Sequence, residues 1–237
     1  MITLRANSHA PEVRLLQRLL NHRYSTDSTV PNLVVDGSFG PRTEALLRRF
    51  QTGYTGPGRL TVDGVAGDAT WRALGLATDV AWPVPQVGQN TTMSCWVVSG
   101  GMASGRMTSM VPPTATFDPL EASYPDGRDG GGMSNESPNL NAYASGLGMR
   151  SLDGSPAHIN GVLEHLRRGP AILIGNWPNG GSHAVVVSAV YIGPTSATSK
   201  LRINNPSPMG RGSIQLSHYP GMNLEGHSFT PDVLIVK

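Results

Sequence analysis

The chain has a single cysteine, Cys95, in 237 residues, so no internal disulfide can form. Its redox compartment therefore cannot be read from cysteine pairing, and a free thiol needs no oxidising surroundings to fold. Charge is sparse: 18 Lys and Arg against 16 Asp and Glu give a net +2. That balance is too weak to point to nucleic acid, though it does not hinder approach to an anionic envelope. No apolar run approaches the length of a membrane helix, and the first twenty residues contain neither the apolar core nor the cleavage site of a classical leader. The histidines at 9, 22, 158, 165, 218 and 227 have no partners at metal-ligand spacing, and no glycine loop follows a strand as a phosphate cradle. No metal, cofactor or nucleotide is expected.

What is present is concentrated around Cys95, in the run Gln89-Asn90-Thr91-Thr92-Met93-Ser94-Cys95-Trp96. A cysteine opening a helix feels the positive end of the helix dipole, which favours its thiolate. A glutamine six residues earlier can reach over the same carbonyl if the turn between them folds back. Gln89 and the Cys95 N–H would then form an oxyanion hole.

Residues 183 to 192 are rich in β-branched side chains and predict a strand with His183 at its start. Residues 200 to 204 predict the next strand, ended by the cluster Pro206-Ser207-Pro208. If the two strands are adjacent, Asn205 lies near His183, where its amide oxygen can orient one ring nitrogen and leave the other for Cys95. Taken singly, these are a buried thiol, a strand histidine and a turn asparagine; taken in the order Gln, Cys, His, Asn they read as one catalytic set. Trp177, on a loop before His183, is expected either to floor a substrate cleft or to pack there. Asp126-Gly127-Arg128-Asp129 and the glycines after it read as a surface loop beside the cleft in preference to a cation loop.

These segments resemble the papain-like cysteine peptidases, especially the compact bacterial ones used as secreted effectors. The resemblance rests on Gln89 to Cys95-Trp96 with the small residues after it, Gly169-Pro170 and the strand it opens, Ser182-His183-Ala184, and Asn204-Asn205-Pro206. In that family a Gly-Pro strand leads to the catalytic histidine and a second strand ends at the residue that orients it. His183 and Asn205 fall at those places. Many bacterial relatives have Asp where this chain has Asn205, a departure that keeps the role but removes a charge.

The first third of the chain is built differently. Asp36-Gly37-Ser38-Phe39-Gly40-Pro41-Arg42-Thr43 and Asp63-Gly64-Val65-Ala66-Gly67-Asp68-Ala69-Thr70 share the pattern Asp-Gly-x-x-Gly-x-x-Thr at an offset of 27 residues. Each copy runs into an amphipathic helix, with Leu46, Leu47 and Phe50 after the first and Trp71 and Leu74 after the second. Val13, Leu16, Leu19 and Leu20 predict an earlier helix. Pro41 suits a first helical position, and Asp68 suits a cap or the dipole of the third helix.

This segment resembles the peptidoglycan-binding module of bacterial wall hydrolases. The match covers about residues 11 to 76 and includes Leu16-Gln17, Asp36-Gly37, Phe50-Gln51, Asp63-Gly64 and Thr70-Trp71. The resemblance implies wall contact, with Asp36 and Asp63 the candidate contacts.

The fold expected is α+β: a three-helix module at 1–78, a linker at 79–86 whose prolines stiffen it, and a papain-like domain at 87–237, its cysteine helix packed on an antiparallel sheet bearing His183 and Asn205. The function expected is hydrolysis of amide bonds in peptidoglycan stem peptides by an antibacterial effector or lysin. Proteolysis of a target-cell protein, with the module used for delivery, is the alternative, and a catalytically dead wall adaptor a second. Without a leader, such a protein would leave by injection, through a holin or on lysis, and would act in the envelope or cytoplasm of a target cell. Injection is favoured, which brings a secretion component and an immunity protein in as possible partners. No nucleic acid and no membrane span is expected.

Overall fold

The computed structural model describes residues 2–76, 78–89, 94–107, 137–152, 154–207 and 211–237. The turn 90–93 and the glycine-rich loop at 126–132 lie outside these residues. The chain is α+β and divides into two compact units, Met1–Asp79 with Tyr191–Ser199, and Val80–Val190 with Lys200–Lys237.

The first unit holds helices α1 (Pro11–Arg23), α2 (Pro41–Gly53) and α3 (Asp68–Ala73). Proline opens both longer helices, where its missing N–H would have had no helical partner. Asp68 is the first residue of α3, not its cap; Gly67 is the cap, so Asp68 acts through the dipole. Val13, Leu16, Leu19, Leu20, Leu47 and Trp71 are fully buried, as their helical spacing predicts.

The two repeated loops are built on one hydrogen-bond plan, each centred on a glutamine. In the first, Gln17 Nε2 donates to Asp36 Oδ1 (2.8 Å) and the Ser38 carbonyl (3.1 Å), while Gly37 N–H donates to Gln17 Oε1 (3.0 Å). In the second, Gln51 Nε2 donates to Asp63 Oδ1 (3.0 Å) and the Val65 carbonyl (3.0 Å), and Gly64 N–H donates to Gln51 Oε1 (2.9 Å). Gly37 and Gly64 both take left-handed backbone, at φ 81° and 70°. That conformation explains the repeated Asp-Gly, since only glycine adopts it freely. Each helix thus carries, at its inner face, the glutamine that fastens the loop following it.

The second unit is a sheet with helices against it. Its strands run in the order β2 (Arg150–Ser151), β8 (His227–Val236), β3 (Ala171–Asn176), β4 (Ser182–Ile192), β5 (Lys200–Asn205) and β6 (Ser213–Ser217). The short strand β7 (Met222–Leu224) pairs with β8, and β1 (Thr78–Ala81) pairs with β4. The start of the expected linker is therefore a strand. Its backbone hydrogen bonds continue past β1, with Trp82 N–H donating to the Ser188 carbonyl (2.8 Å).

Helix α4 (Cys95–Ser104) is buried from Trp96 to Ala103, against Ile172, Ile174, Ala184 and Val186 of the sheet. A helix apolar on every side belongs inside a domain. Its other side meets α5 (Ser137–Gly146): Tyr143 packs edge-on to Trp96 at 5.7 Å and donates its hydroxyl to the Trp96 carbonyl (2.6 Å). Gly100 makes room for that approach, since a Cβ there would stand 2.5 Å from the Tyr143 hydroxyl. Helix α6 (Ile159–Leu166) closes the unit with Val162 and Leu166 buried.

Gln51→Leu keeps the bulk of the side chain but leaves the Gly64 N–H and Asp63 without their partner. Unfolding in urea should show a loss of about 1–3 kcal/mol. Amide exchange at Gly64 should accelerate, and Gln17→Leu should do the same at Gly37; unchanged protection at both glycines would refute the shared plan.

Candidate functional site

Five of the residues singled out in the sequence lie toward one end of the sheet. His183 is the second residue of β4 and Asn205 the last of β5, the neighbouring strand; both are buried. His183 Nε2 and Asn205 Oδ1 are 2.7 Å apart. The same Oδ1 accepts the Ser207 N–H at 2.9 Å. An oxygen that takes two donors fixes the amide's orientation, so Nε2 carries the ring proton and Nδ1 keeps its lone pair.

Cys95 is the first residue of α4, and the backbone amide of Ala184, the residue after His183, is the chief influence that lowers its thiol pKa. One helical turn later Ser99 Oγ donates to the Ala184 carbonyl at 2.9 Å. The Ala184 carbonyl thus ties α4 to β4 one residue after His183. Ser99 was not singled out from the sequence, although its i,i+4 spacing from Cys95 placed it on the same face.

The electrostatics differ from the sequence expectation in one respect. Burial pushes the Cys95 thiol up, by more than the amides of Ala184, Trp96 and Cys95 pull it down. Desolvation outweighs the helix terminus. Burial also pushes the His183 imidazole down, against the Asn205 hydrogen bond and the negative charge of Glu225. Both groups therefore rest neutral, and a lone charge on either is disfavoured.

Trp177 covers His183. Its ring stacks on His183 at 5.4 Å and 29°, and is backed by Phe229 at 5.3 Å and His227 at 6.2 Å, both edge-on. The loop holding it turns on Gly180 and Gly181, at φ 88° and 84°, and closes with Trp177 N–H on the Gly181 carbonyl (3.1 Å). Gly175, paired with His183 across the sheet, admits the Phe229 ring, which a Cβ would meet at 2.6 Å. Trp177 thus stands against the histidine, one of the two positions the sequence left open.

Gln89 reaches the same place by its backbone: its N–H donates to the carbonyl of Pro206 (2.8 Å), next to Asn205. Its side chain is buried, and Oε1 has no partner among the described residues. Gln86, missed in the sequence, donates Nε2 to the Asn205 carbonyl at 2.7 Å. Its contribution was hidden because 119 residues separate it from Asn205.

Asp36 and Asp63 lie far along the chain from this cluster, in the first unit. Each is exposed, and each uses Oδ1 to accept from a glutamine and from the backbone N–H two residues on. For Asp36 the Gln17 hydrogen bond is the main cause that keeps the carboxyl below its ordinary value; for Asp63 it is the Val65 amide. Their first role is to shape the loops. Two clefts of about 430 and 380 Å³ lie beside the first loop, and both are lined by Leu33 and Arg42. Asp36 lines the smaller, and neither is lined by Asp63.

Trp177→Ala should let water onto the His183 ring. Because burial is what lowers that imidazole, its pKa should rise toward the ordinary value near 6.5. Histidine NMR titration measures this directly, and an unchanged or lower value would show that Trp177 does not shield the ring.

No curated protein matches the chain. A family model described as a putative peptidoglycan binding domain matches residues 9–74. That span contains α1, α2 and α3 with both glutamine-fastened loops. The chain carries an N-terminal peptidoglycan-binding module.

Proposed function

We propose that the second unit is a papain-like cysteine hydrolase, and that the module brings it to peptidoglycan, where it cleaves peptide bonds of the stem peptides. The observation that supports this most strongly is the buried His183–Asn205 hydrogen bond of 2.7 Å, with the cysteine at the start of a helix tied to the next strand residue, Ala184, by Ser99. The amide satisfies the buried ring N–H, as any buried histidine requires, and also holds the imidazole so that Nδ1 keeps a fixed direction, as a general base requires.

In the proposed reaction His183 Nδ1 takes the Cys95 proton as sulfur attacks the amide carbon. The carbonyl oxygen becomes an oxyanion, held by the Cys95 N–H and the Gln89 side-chain amide. The imidazolium gives its proton to the leaving nitrogen, the C–N bond breaks, and a thioester remains. Water, deprotonated by His183, attacks the thioester; collapse of that second oxyanion expels the thiolate, which is reprotonated, and frees the carboxylic acid. Asn205 holds the ring in line through both halves. Because Oδ1 also holds the Ser207 N–H, the amide cannot swing away without breaking a second bond.

Incubation of the full chain with purified sacculi, followed by assay of new amino groups, tests the proposal. Cys95→Ala should cut release at least about 1,000-fold while the fold is kept, His183→Ala by a similar factor, and the double variant by little more. Asn205→Ala should lose less, since it orients without reacting. Full release by a folded Cys95→Ala chain would end the hydrolase reading. Equal release from a whole-cell protein lysate and none from sacculi would shift the substrate to a protein.

The neutral resting pair also shapes the pH profile. Activity requires His183 unprotonated, and its pKa is pushed down, so the acid limb should fall below 6.5. It also requires the thiol proton, and that pKa is pushed up, so the alkaline limb should lie above 9.0. A kcat/KM profile that narrows inside those two values would contradict the neutral pair.

A further inference from the structure

We propose that Glu225 is a positioning residue for the His183–Asn205 pair, supplying through Ser207 the negative charge that an asparagine at 205 does not carry. The inference rests on the hydrolase reading for its catalytic meaning, but its geometry stands independently.

Glu225 sits in the two-residue turn joining β7 to β8, between the paired residues Leu224 and His227. Glu225 and Gly226 both have positive φ, at 54° and 88°. Tight hairpin turns of this kind favour Asn, Asp or Gly at the first of these positions, because a longer side chain is strained there. Glutamate is thus held in a conformation it adopts reluctantly, and such outliers tend to gather where function fixes the backbone.

The carboxylate is also anchored. Oε1 accepts from Ser213 Oγ at 2.7 Å and Oε2 from Ser207 Oγ at 3.3 Å. Ser213 Oγ also lies 3.0 Å from the Ser207 carbonyl, which can share its one proton, and the Glu225 N–H donates to Gln215 Oε1 at 3.2 Å. Ser207 is the residue whose N–H holds Asn205 Oδ1. The bonds therefore run in one line from the carboxylate through Ser207 and Asn205 to the imidazole. Among the described residues around His183, the groups able to carry charge are Cys95 from α4, Glu225 from the β7–β8 turn, and His227, which meets it across the Trp177 ring. Glu225 is the acid among them that can favour an imidazolium without reacting with it.

During the reaction His183 becomes positive as sulfur becomes negative. A carboxylate a few bonds away stabilises that imidazolium, while Asn205 aligns it. The two tasks that a single aspartate would combine are divided between an amide on β5 and a glutamate on the hairpin tip.

The test uses the full chain in two states. In a Cys95→Ala background, where no thiol titrates beside the ring, Glu225→Gln should lower the His183 pKa in an NMR titration by about 0.3–1 pH unit. In the active chain the same change should lower kcat roughly threefold to tenfold, leave KM nearly unchanged and move the acid limb to lower pH. Glu225→Asn separates charge from structure, because it suits the turn better. It should raise the thermal midpoint while lowering the His183 pKa and kcat as Glu225→Gln does. Adding Asn205→Asp to Glu225→Gln returns a charge to the line and should restore the titration. An unaltered His183 pKa in both Glu225 variants overturns the proposal, whatever happens to turnover. Loss of stability and activity together in Glu225→Asn overturns it too. Retained hydrolysis by Cys95→Ala would instead reject the hydrolase reading, leaving the titration to decide the role of Glu225.

Discussion

The grip of α4 on the backbone of Ala184 is the contact on which the site depends. Ser99, one turn after Cys95 on the helix, donates to the Ala184 carbonyl. The strand cannot slide along the helix without losing that bond. Since His183 precedes Ala184 and pairs across the sheet with Gly175, the cysteine helix, the histidine strand and the strand behind it share one register. A one-residue slip would turn the imidazole to the opposite face.

Burial follows from that register and decides the chemistry at rest. The helix start carries a partial positive charge, and from sequence alone that charge suggests a thiolate. Packing the same helix against an apolar core takes part of the water from the sulfur, and that loss of solvation pushes the thiol up. The ring is treated likewise, with Trp177 over one face. In the proposed hydrolysis neither group would be activated singly; activation would belong to the pair, realised when a proton passes between them in the presence of a substrate carbonyl.

The sequence disclosed these features unevenly, for physical reasons. The helices of the first unit were legible because Val13, Leu16, Leu20, Leu47 and Trp71 repeat at helical spacing, and the loops because Asp-Gly requires a backbone that glycine permits. The strands bearing His183 and Asn205 were legible from β-branched runs ended by proline. Gln17 and Gln51 were visible as a repeated residue, but their job of fastening the next loop is a tertiary contact. Asp36 and Asp63 looked like wall contacts, yet each spends one oxygen on its own loop. Gln86 and Glu225 gave no local signal, for they meet Asn205 and Ser207 only after distant segments come together. The strand β1 was obscured by the prolines that follow it.

The central claim is that the only sulfur nucleophile in the chain does the bond breaking, and its being single makes a direct measurement possible. Iodoacetamide can modify no other cysteine, so the fraction alkylated at Cys95 can be read by peptide mass spectrometry and compared with amine release from sacculi by the full chain. A cysteine hydrolase predicts that release falls in proportion to modification and reaches background when Cys95 is fully alkylated. Undiminished release from a fully alkylated, folded chain would contradict it.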